Sequence, residues 1–523
     1  MAQEDLVVAS VMLATQEEEC SAKLEDAEGR QKVLQQEEAS LTQDQVTVQD
    51  KVNGENSGLE ADDGEEEVDE ELLKLLAPQV PAQGDFVLTY NQSDRPLEVA
   101  WRNNMKDSVD HGDGFLPVRS LQLSIKTLLA DDKILLIANV PMASTKQHTG
   151  LSWTFKRGVA GKCTCIGPQF KSWVSSLCLM ENVLMPWLDA PGGGHRARLD
   201  VEYSVMVRVK DSVHVSKDQE RRQLCAVAIP ATQITSSCSA EEQVVEPGNW
   251  YNVQGLGQVA NPNEGEKVLV VCTINYKALW NSEYGRGRFT IARDGVSLDP
   301  ESYGLQSVRS IYAGGQGPAT PARTLVMALV DDPPAGPHLY TVRSCITPGD
   351  DEPHCALSLE GDTEVSTRQI MLLRMPAALV VGPCRCPGVT LVEEDHWTAI
   401  MGLEVTVAVR TSSDRVLIVY HVNTDPACTH YEAYFTLFRT SSKGVTKCLG
   451  HMDTGMWSLA SAYKLSSEYP QTMFIDAPGK GEHTYSVSAR TRRCDHQIEP
   501  TALQVGPDGQ IAAVLLPRCD QKR

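Results

Sequence analysis

The sequence predicts an all-β protein in which three tandem antiparallel β-sandwich domains follow an acidic N-terminal arm. From about residue 85 onward, short runs rich in Val, Ile, Leu, Tyr and Thr alternate with clusters of Gly, Pro, Asp and Asn, which is typical of many short strands. A turn followed by a strand also occurs three times: "WLDAPGGG" at 187–194 with "YSV" at 203–205, "LVDDPPAGPHLYTV" at 329–342, and "FIDAPGKGEHTYSV" at 474–487. These observations indicate a repeated β domain.

Length and charge separate the arm from the body. The chain has 523 residues, which exceeds one ordinary hydrophobic core and predicts three or four domains. Its net charge of −22 is concentrated in residues 1–84, which hold 22 acidic and 5 basic residues. The rest of the chain has a net charge of only −5 and no Lys/Arg tract. A nearly neutral body argues against binding of a nucleic-acid backbone.

The arm, residues 1–84, divides into a helix-favouring part and an acidic linker. Residues 15–52 are rich in Glu, Gln, Ala and Lys and contain no Pro, which favours a helix. Apolar residues recur every seven positions at Leu34, Leu41 and Val48, but the other seam position is polar: Arg30, Glu37 and Asp44. A weak coiled coil and a solvated or disordered arm both stay open. Residues 53–71 cannot bury a core, so we expect disorder there.

The repeats align on the aspartates of an Asp-x-Pro turn, which are 142 and 145 residues apart: Asp189, Asp331 and Asp476. Upstream of each turn lies an apolar strand: "KILLIANV" at 133–140, "KVLVVCTIN" at 267–275 and "RVLIVYHVN" at 415–423. A strand that ends in a basic residue and a Gly turn follows: "WTFKRG" at 153–158, "RFTIARDG" at 288–295 and "YFTLFRTSSKG" at 434–444. Each repeat closes with a strand that ends in Pro: "QLCAVAIP" at 223–230, "QIMLLRMP" at 369–376 and "QIAAVLLP" at 510–517.

A further landmark precedes the apolar strands. Trp250 and Trp397 stand 18 and 19 residues before Val268 and Val416, and "LPVRSLQLSI" at 116–125 is the equivalent segment of the first repeat. Landmarks matched in the same order are a strong signal of internal repetition. The predicted units are the arm, 1–84, and three β-sandwich repeats of about eight strands each, a size that supports an independent core: 85–232, 240–378 and 385–519.

The "G-x-x-x-Y-x-V" ending, followed by a closing apolar strand, resembles the last strands of tumour-necrosis-factor-like jelly rolls. The resemblance covers most of 90–518 in pattern. It implies jelly-roll-like domains, which in that superfamily usually pack as threefold trimers. Three copies in one chain could therefore form an intrachain pseudo-trimer. Independent sandwiches joined by linkers are the alternative.

The recurring polar residues have structural interpretations. Asp189, Asp331 and Asp476 could ring a calcium ion, but Asp before Pro more often shapes a turn through its own backbone. We expect the three tyrosines of the following strand to be core or sheet-face residues whose hydroxyls reach neighbouring backbone: Tyr203, Tyr340 and Tyr485. The histidines beside the turns are expected at the surface: His338, His483 and, as a rough counterpart, His195.

Motifs of catalysis and metal binding are missing or weak. Cys163-Thr-Cys165 and Cys384-Arg-Cys386 are too closely spaced for a typical zinc site. The Gly-rich stretches "APGGGH" and "AGGQG" lack the form of a phosphate loop, and no Gly-x-Ser-x-Gly or metalloprotease motif is present. We therefore predict no catalytic residue, no cofactor and no metal, and a protein that is not an enzyme.

The predicted function is that of a non-enzymatic structural or protein-interaction protein with an unidentified protein partner. Its arm offers possible self-association, and no run of the sequence is long and apolar enough to span a membrane. The apolar stretch near residue 6 follows acidic residues, which argues against a signal peptide, and 15 cysteines without such a signal favour reduced thiols and a cytoplasmic location. An extracellular ligand-like or lectin-like recognition protein is the alternative, and a jelly-roll metalloenzyme is a third.

Overall fold

The structure is a computed structural model, and the residues it describes all belong to the unit Val80–Arg523. They are 87–93, 114–126, 131–143, 149–174, 180–192, 199–209, 222–278, 286–298, 305–309, 311–312, 318–319, 323–347, 357–359, 368–391, 395–426, 431–453, 455–461, 470–493, 503–507 and 509–516. The predictions of a helical, coiled-coil or disordered arm concern residues outside these ranges. No helix in these ranges is long and apolar enough to cross a membrane.

The predicted all-β architecture is confirmed. The first repeat contains β1 (Val87–Ser93), β2 (Leu116–Lys126), β3 (Lys133–Ala143), β4 (Thr149–Val159), β5 (Lys162–Val174), β6 (Met180–Asp189), β7 (Asp200–Val209) and β8 (Arg222–Ile229).

The second repeat contains β9 (Ile234–Ser239), β10 (Gln243–Val245), β11 (Tyr251–Ala260), β12 (Glu266–Ala278), β13 (Arg286–Arg293), β14 (Val296–Ser297), β15 (Gln306–Arg309), β16 (Ile311–Tyr312), β17 (Pro318–Ala319), β18 (Arg323–Asp331), β19 (His338–Thr347), β20 (Leu357–Leu359) and β21 (Arg368–Pro376). A 3₁₀ turn, Ala377–Leu379, follows it.

The third repeat contains β22 (Val380–Arg385), β23 (Val389–Leu391), β24 (Thr398–Val409), β25 (Arg415–His421), β26 (Thr424–Pro426), β27 (Tyr431–Ser441), β28 (Thr446–Cys448), β29 (Trp457–Ser461), β30 (Gln471–Asp476), β31 (Gly481–Arg493), β32 (Leu503–Val505) and β33 (Gln510–Leu516).

Each repeat has the same pair of four-stranded antiparallel arrangements. One sheet, called the inner sheet here, has the order β1-β8-β3-β6 in repeat 1, β9-β21-β12-β18 in repeat 2 and β22-β33-β25-β30 in repeat 3. The other, called the outer sheet, has the order β2-β7-β4-β5, β11-β19-β13-β14 and β24-β31-β27-β28. The chain passes repeatedly between two facing sheets, which is the double-sheet arrangement of a jelly roll.

The repeats agree even in their irregularities. The Asp-x-Pro aspartate lies opposite the same position of the apolar strand in the pairs Ile134–Asp189, Val268–Asp331 and Val416–Asp476. The first strand of every outer sheet also carries a bulge at the same place, between Pro117 and Gln122, Asn252 and Gly257, and Ala399 and Glu404. Gly255 and Gly402 lie in the second and third bulges with φ of 74° and 82°, a conformation that favours glycine.

Burial differs between the two sheets. In the outer strand β24, buried and exposed residues largely alternate, as expected for a sheet with one wet face. In the inner strands β8, β30 and β33 every residue is buried. Both faces of the inner sheets are therefore covered, which explains why the apolar strands of the sequence are continuous rather than alternating.

The covering of the second face comes from the other repeats. In β3, Ile134 and Leu136 belong to the core of repeat 1, whereas the alternate residues Leu135 and Ile137 belong to a larger cluster. That cluster contains inner-sheet residues of all three repeats, among them Val271 and Val419. The inner sheets of repeats 1 and 2 thus contribute one face to their own sandwich and one face to this shared apolar cluster, which in repeat 3 also includes the sandwich core, for example Val407 and Tyr485.

The domain boundaries stay a prediction, and strand pairing adds detail to them. Ile234–Ser239 lies before the predicted start at residue 240 and pairs with β21 of repeat 2. Val380–Arg385 lies mostly before the predicted start at residue 385 and pairs with β33 of repeat 3. The edge strands of both inner sheets therefore come from segments that look like linkers in the sequence.

Candidate functional site at the junctions of the repeats

The Asp-x-Pro aspartates form the same three-residue cluster in every repeat, which we call the Asp-Arg-Tyr cluster. In repeat 1, Arg157 Nη1 donates to Asp189 Oδ1 at 2.8 Å and Tyr203 Oη donates to Asp189 Oδ2 at 2.7 Å. In repeat 2, Arg293 and Tyr340 both donate to Asp331 Oδ2 at 2.7 Å.

Repeat 3 has the same arrangement, with Arg439 and Tyr485 donating to Asp476 Oδ2 at 2.6 and 2.9 Å. The arginine lies within the last three residues of a strand of the outer sheet, and the aspartate ends a strand of the inner sheet. Each cluster therefore joins the two sheets of a sandwich with charge-assisted hydrogen bonds.

Burial holds the tyrosines of these clusters in the protonated, donating form. Burial raises the pKa of Tyr203, and the neighbouring Asp189 carboxylate raises it further. The pKa values of Tyr340 and Tyr485 are likewise raised, mainly by burial and further by the adjacent aspartate. Each tyrosine is thus a permanent hydrogen-bond donor to its aspartate rather than an acid that titrates near neutral pH.

These clusters refine the sequence expectations. Each aspartate is the last residue of an inner-sheet strand, directly before the turn, and its carboxylate accepts hydrogen bonds from an arginine and a tyrosine. The tyrosine hydroxyls reach carboxylates rather than backbone groups. The arginines were visible in the sequence as the basic residue that ends the second strand of each repeat, but their pairing with aspartates some 32 to 38 positions away could not be deduced.

The expected surface position of the turn histidines is wrong for the two that are described. The His338 side chain is 14% exposed and contacts Asp294, and His483 is buried. Both lie two residues before the tyrosine of the Asp-Arg-Tyr cluster, on a strand that packs against the turn. His195 lies outside the described residues.

A second set of equivalent residues lies at the contacts between repeats. The closing strand of each inner sheet carries a buried glutamine at the same position, opposite Asn139, Thr273 and His421 respectively: Gln223, Gln369 and Gln510. Each glutamine contacts the backbone of a different repeat, at the residue just before the Asp-x-Pro aspartate. We call these contacts the glutamine bridges.

The glutamine bridges copy backbone pairing. Gln223 Nε2 donates to Ile475 O at 2.6 Å, and its Oε1 accepts from Ile475 N at 2.9 Å. Gln369 bonds both backbone groups of Leu188 in the same way, at 3.2 and 2.9 Å. A side-chain amide offers the donor and acceptor of a peptide group, so it can satisfy an edge strand that would otherwise present unpaired groups.

The direction of the bridges is cyclic. Gln369 of repeat 2 reaches repeat 1, and Gln223 of repeat 1 reaches repeat 3. Gln510 of repeat 3 reaches repeat 2, where its Oε1 accepts from Val330 N at 3.0 Å. Every repeat therefore supplies one glutamine and one edge strand.

Further polar contacts differ from junction to junction. Between repeats 1 and 3, Asn139 Nδ2 donates to Met473 O. Between repeats 2 and 1, Thr273 Oγ1, which is equivalent to the Asn139 amide in register, donates to Pro186 O at 3.3 Å. Between repeats 3 and 2, Gln471 Nε2 donates to Val326 O. The three junctions therefore differ in the side chains that make these additional contacts.

The edge of β5 is also covered by a neighbouring repeat. Lys171 N donates to Thr324 Oγ1 at 2.6 Å, and Asn275 Nδ2 donates to Gln169 O at 3.0 Å. The two groups of β5 in these hydrogen bonds belong to its backbone, whereas their two partners are side chains of repeat 2. Side-chain capping of strand edges is thus a general feature of the contact between repeats 1 and 2.

The two Cys-x-Cys pairs differ in their exposure. Cys163 and Cys165 are exposed on β5, whereas Cys386 is buried and Cys384 half-buried. Partial burial raises the pKa of the Cys384 thiol. Within the described ranges, no three His, Cys, Asp or Glu side chains come together as a metal site would require.

No protein-family model matches the chain, and no curated protein is significantly similar to it. The chain is similar, at 8% identity and a TM-score of 0.14, to the stem and receptor binding domain of the spike protein P1 from bacteriophage PM2, over 53% of this chain and 97% of that one. It is also similar to a structure described as the triple jelly roll fold and turret assembly in an archaeal virus, at 8% identity and a TM-score of 0.14, over 82% of this chain and 90% of that one. Such TM-scores are too low to support a statement about function.

Proposed function

We propose that this chain is a non-enzymatic structural or protein-interaction protein whose three jelly rolls form an intrachain pseudo-trimer. The observation that carries the proposal is the cyclic order of the glutamine bridges. Each bridge runs head to tail, from the glutamine of one repeat to the edge strand of another, and contacts of this type form a closed ring when the rotation closes. Three repeats that each give one contact and receive one account for such a ring.

The shared apolar cluster supports the same arrangement. Leu135, Leu269 and Leu417 occupy equivalent positions on the inner sheets, and all three belong to the one cluster. A string of independent sandwiches would leave these faces wet, at a cost of about 1.5–3 kcal/mol for each large apolar side chain. The resemblance to tumour-necrosis-factor-like domains, which pack around threefold axes, agrees with this proposal.

The outer sheets and loops would carry the interaction function. Most of the exposed large apolar side chains among the described residues lie in repeat 2: Val244, Tyr251, Val259, Val296 and Leu339. Val259 and Leu339 face each other across β11 and β19. Their equivalents in repeat 3 are Thr406 and Thr484, whose hydroxyls hydrogen-bond at 2.9 Å. The repeats thus share their buried contacts but differ in the exposed side chains of their outer sheets, which suits a scaffold that presents different surfaces.

Light scattering combined with small-angle X-ray scattering tests the pseudo-trimer. We expect the region from residue 85 to be a monomer with a radius of gyration of about 22 Å, the value for one packed body of that length. A markedly larger radius with several maxima in the distance distribution would mean separate sandwiches. The full-length protein, measured beside it, reports whether the N-terminal arm adds self-association.

Crosslinking of the full-length protein in cell extract tests the interaction function. A partner that uses the outer sheet of repeat 2 should be lost with Leu339→Lys and kept with Thr484→Lys, the equivalent change in repeat 3. Loss with neither variant would direct the search to other loops. The proposals that the protein lacks enzymatic activity and is cytoplasmic rest on the sequence, and cell fractionation tests the second.

A further inference from the structure

An aromatic residue stands directly before the first strand of all three outer sheets: Phe115, Trp250 and Trp397. The residues that follow them lie opposite equivalent positions of the neighbouring strand, in the pairs Leu116–Val207, Tyr251–Ser344 and Thr398–Ala489. In repeat 1 the guanidinium of Arg208 lies 4.9 Å from the ring centre of Phe115, and in repeat 3 that of Arg490 lies 5.1 Å from the ring centre of Trp397. In both repeats an arginine of the neighbouring strand therefore covers the aromatic ring as a cation–π contact.

Repeat 2 lacks this arginine. The equivalent position on β19 is the half-buried Cys345, whose Sγ donates to Gly248 O at 3.2 Å. Partial burial raises the pKa of the Cys345 thiol, which therefore stays protonated and neutral. Among the described residues, no cationic side chain lies over the half-buried Trp250 ring. The place that an arginine fills in the two other repeats thus holds only a short, uncharged side chain.

Positive charge surrounds this place instead of occupying it. Arg343 stands two residues before Cys345 on the same face of β19, and Arg288 lies opposite Cys345 on β13. The equivalent residues of repeat 3 are the uncharged Ser488 and Tyr434. Repeat 3 therefore has a cation between two aromatic rings, whereas repeat 2 has a neutral thiol between an aromatic ring and arginines. The two sites are suited to opposite charges.

The charge of Arg343 is balanced only by backbone. Its Nη1 and Nη2 each lie 3.4 Å from a carbonyl oxygen, of Gly295 and Trp250 respectively, and its Nε has no hydrogen-bond partner. Within the part of the chain that the structure describes, no carboxylate lies within ion-pair distance of Arg343. The strands β11, β13 and β19 contain no Asp or Glu. A guanidinium has five N–H donors, so Arg343 can accept a carboxylate from outside the sheet.

The other end of the same face is apolar. Leu339 is on the same side of β19 as Arg343, and it is 45% exposed beside Val259, which is 47% exposed on β11. The carboxylate in the adjacent turn, Asp294, already accepts from Leu339 N at 2.8 Å and contacts His338. Strand residues rise about 3.3 Å each, so Leu339 and Arg343 lie about 13 Å apart along β19. Tryptophan and arginine beside exposed apolar side chains are typical of the residues that dominate protein interfaces.

We propose that the outer sheet of repeat 2 binds an extended acidic segment of a partner protein, in which a Glu or Asp side chain pairs with Arg343 beside Trp250 and an apolar side chain four residues away packs on Val259 and Leu339. The inference rests on the proposed interaction function and adds the chemistry of the partner. In an extended segment, side chains four residues apart share a face and are about 13 Å apart, which matches the spacing along β19. A basic segment would bring like charge to Arg343.

Fluorescence anisotropy with the full-length protein tests the chemistry of the site. The probe is a fluorescein-labelled peptide of two Leu-Ser-Thr-Ser-Glu-Ser-Thr-Ser units, in which Leu and Glu are four residues apart, and the control peptide has Lys in place of Glu. We expect the Lys peptide to bind at least about tenfold more weakly than the Glu peptide, and high salt to weaken binding of the Glu peptide. Equal binding of the two peptides, or no binding of the Glu peptide, would overturn the proposal.

Two variants locate the binding on this face without disturbing the fold. Arg343→Ser and Leu339→Thr introduce the residue types that repeat 3 has at the equivalent positions, Ser488 and Thr484. Each should weaken binding of the Glu peptide by about threefold to tenfold. Arg410→Ser removes an exposed arginine of repeat 3 and is the matched control for net charge, so it should leave the affinity unchanged. An unchanged affinity in Arg343→Ser would refute the site.

Crosslinking in cell extract separates this inference from the proposed function on which it rests. A partner that is lost both with Leu339→Lys and with Arg343→Glu agrees with both. A partner that is lost with Leu339→Lys and kept with Arg343→Glu would preserve the interaction function and refute the acidic segment. Peptide binding that depends on Arg343, without any crosslinked partner, would support the site and count against the interaction function.

Discussion

Replacement of Gln223 by methionine tests whether a residue of repeat 1 stabilises repeat 3. Gln223 is fully buried, and its amide bonds both backbone groups of Ile475, which is 252 positions away. Methionine keeps the length and most of the volume of the side chain but removes the donor and the acceptor. The change therefore isolates the glutamine bridge from the packing around it.

The size of the effect follows from the two groups that lose their partner. A buried backbone group without a hydrogen bond costs about 1–3 kcal/mol. Gln223→Met leaves both the N–H and the C=O of Ile475 without a hydrogen-bond partner. We therefore expect the free energy of unfolding to fall by about 2–5 kcal/mol. Gln223→Glu should be at least as damaging, because it sets a carboxylate oxygen against the oxygen of Ile475 or buries a charge.

The assay combines denaturant unfolding with amide hydrogen exchange. In Gln223→Met, the exchange of β30 in repeat 3 should rise along with that of β8 in repeat 1. Gln504→Met, at an exposed position of β32, is the matched control and should stay within about 0.5 kcal/mol of the unaltered protein. If β30 keeps its protection while the stability of repeat 1 falls, the repeats do not support one another and the argument for a closed ring fails.

Three further changes probe single features. Tyr485→Phe removes the hydroxyl that donates to the buried Asp476 and should lower the unfolding free energy by about 1.5–3 kcal/mol, measured by thermal or chemical denaturation. Because burial lowers the pKa of His483, the unfolded chain binds this proton more readily, so stability should fall as the pH drops below about 6.5, and His483→Gln should flatten this dependence in melting curves recorded across pH 5 to 7. Gly402→Ala should cost about 1–3 kcal/mol or more, since φ is 82° and an added Cβ would meet neighbouring backbone at 2.4 Å, whereas Gly444→Ala, at a φ of 77° in open space, should cost less; equal losses would contradict the steric explanation.

The fold class was predictable because β sandwiches leave local traces in a sequence. Turn residues recur at short intervals, and strands are rich in branched and aromatic side chains. The threefold repetition was visible because equivalent strands keep equivalent residues, such as the closing strands that begin with glutamine at Gln223, Gln369 and Gln510. Those glutamines stood in the sequence as strand starts, yet nothing local indicates that they reach another repeat.

The contact between the repeats is partly visible in the hydrophobic pattern of the sequence. Strands such as "KILLIANV" are apolar at successive positions, which implies burial on both faces, whereas a free sandwich needs only one buried face for each sheet. The sequence thus indicates that the inner sheets are covered on both sides. The sequence does not identify the residues that cover the second face, because they come from strands more than a hundred positions away.

The sequence by itself determines the all-β class, the three repeats, and the order of their repeated landmark strands, since each follows from periodicity, turn chemistry and repeated landmarks along the chain. Only the tertiary structure decides that Arg157 pairs with Asp189, that Gln223 bridges to Ile475, and that His338 contacts Asp294. These contacts depend on distances between residues that are remote in the chain. Such distances are set by the register and stacking of sheets, in which a shift of one residue would turn every side chain to the opposite face.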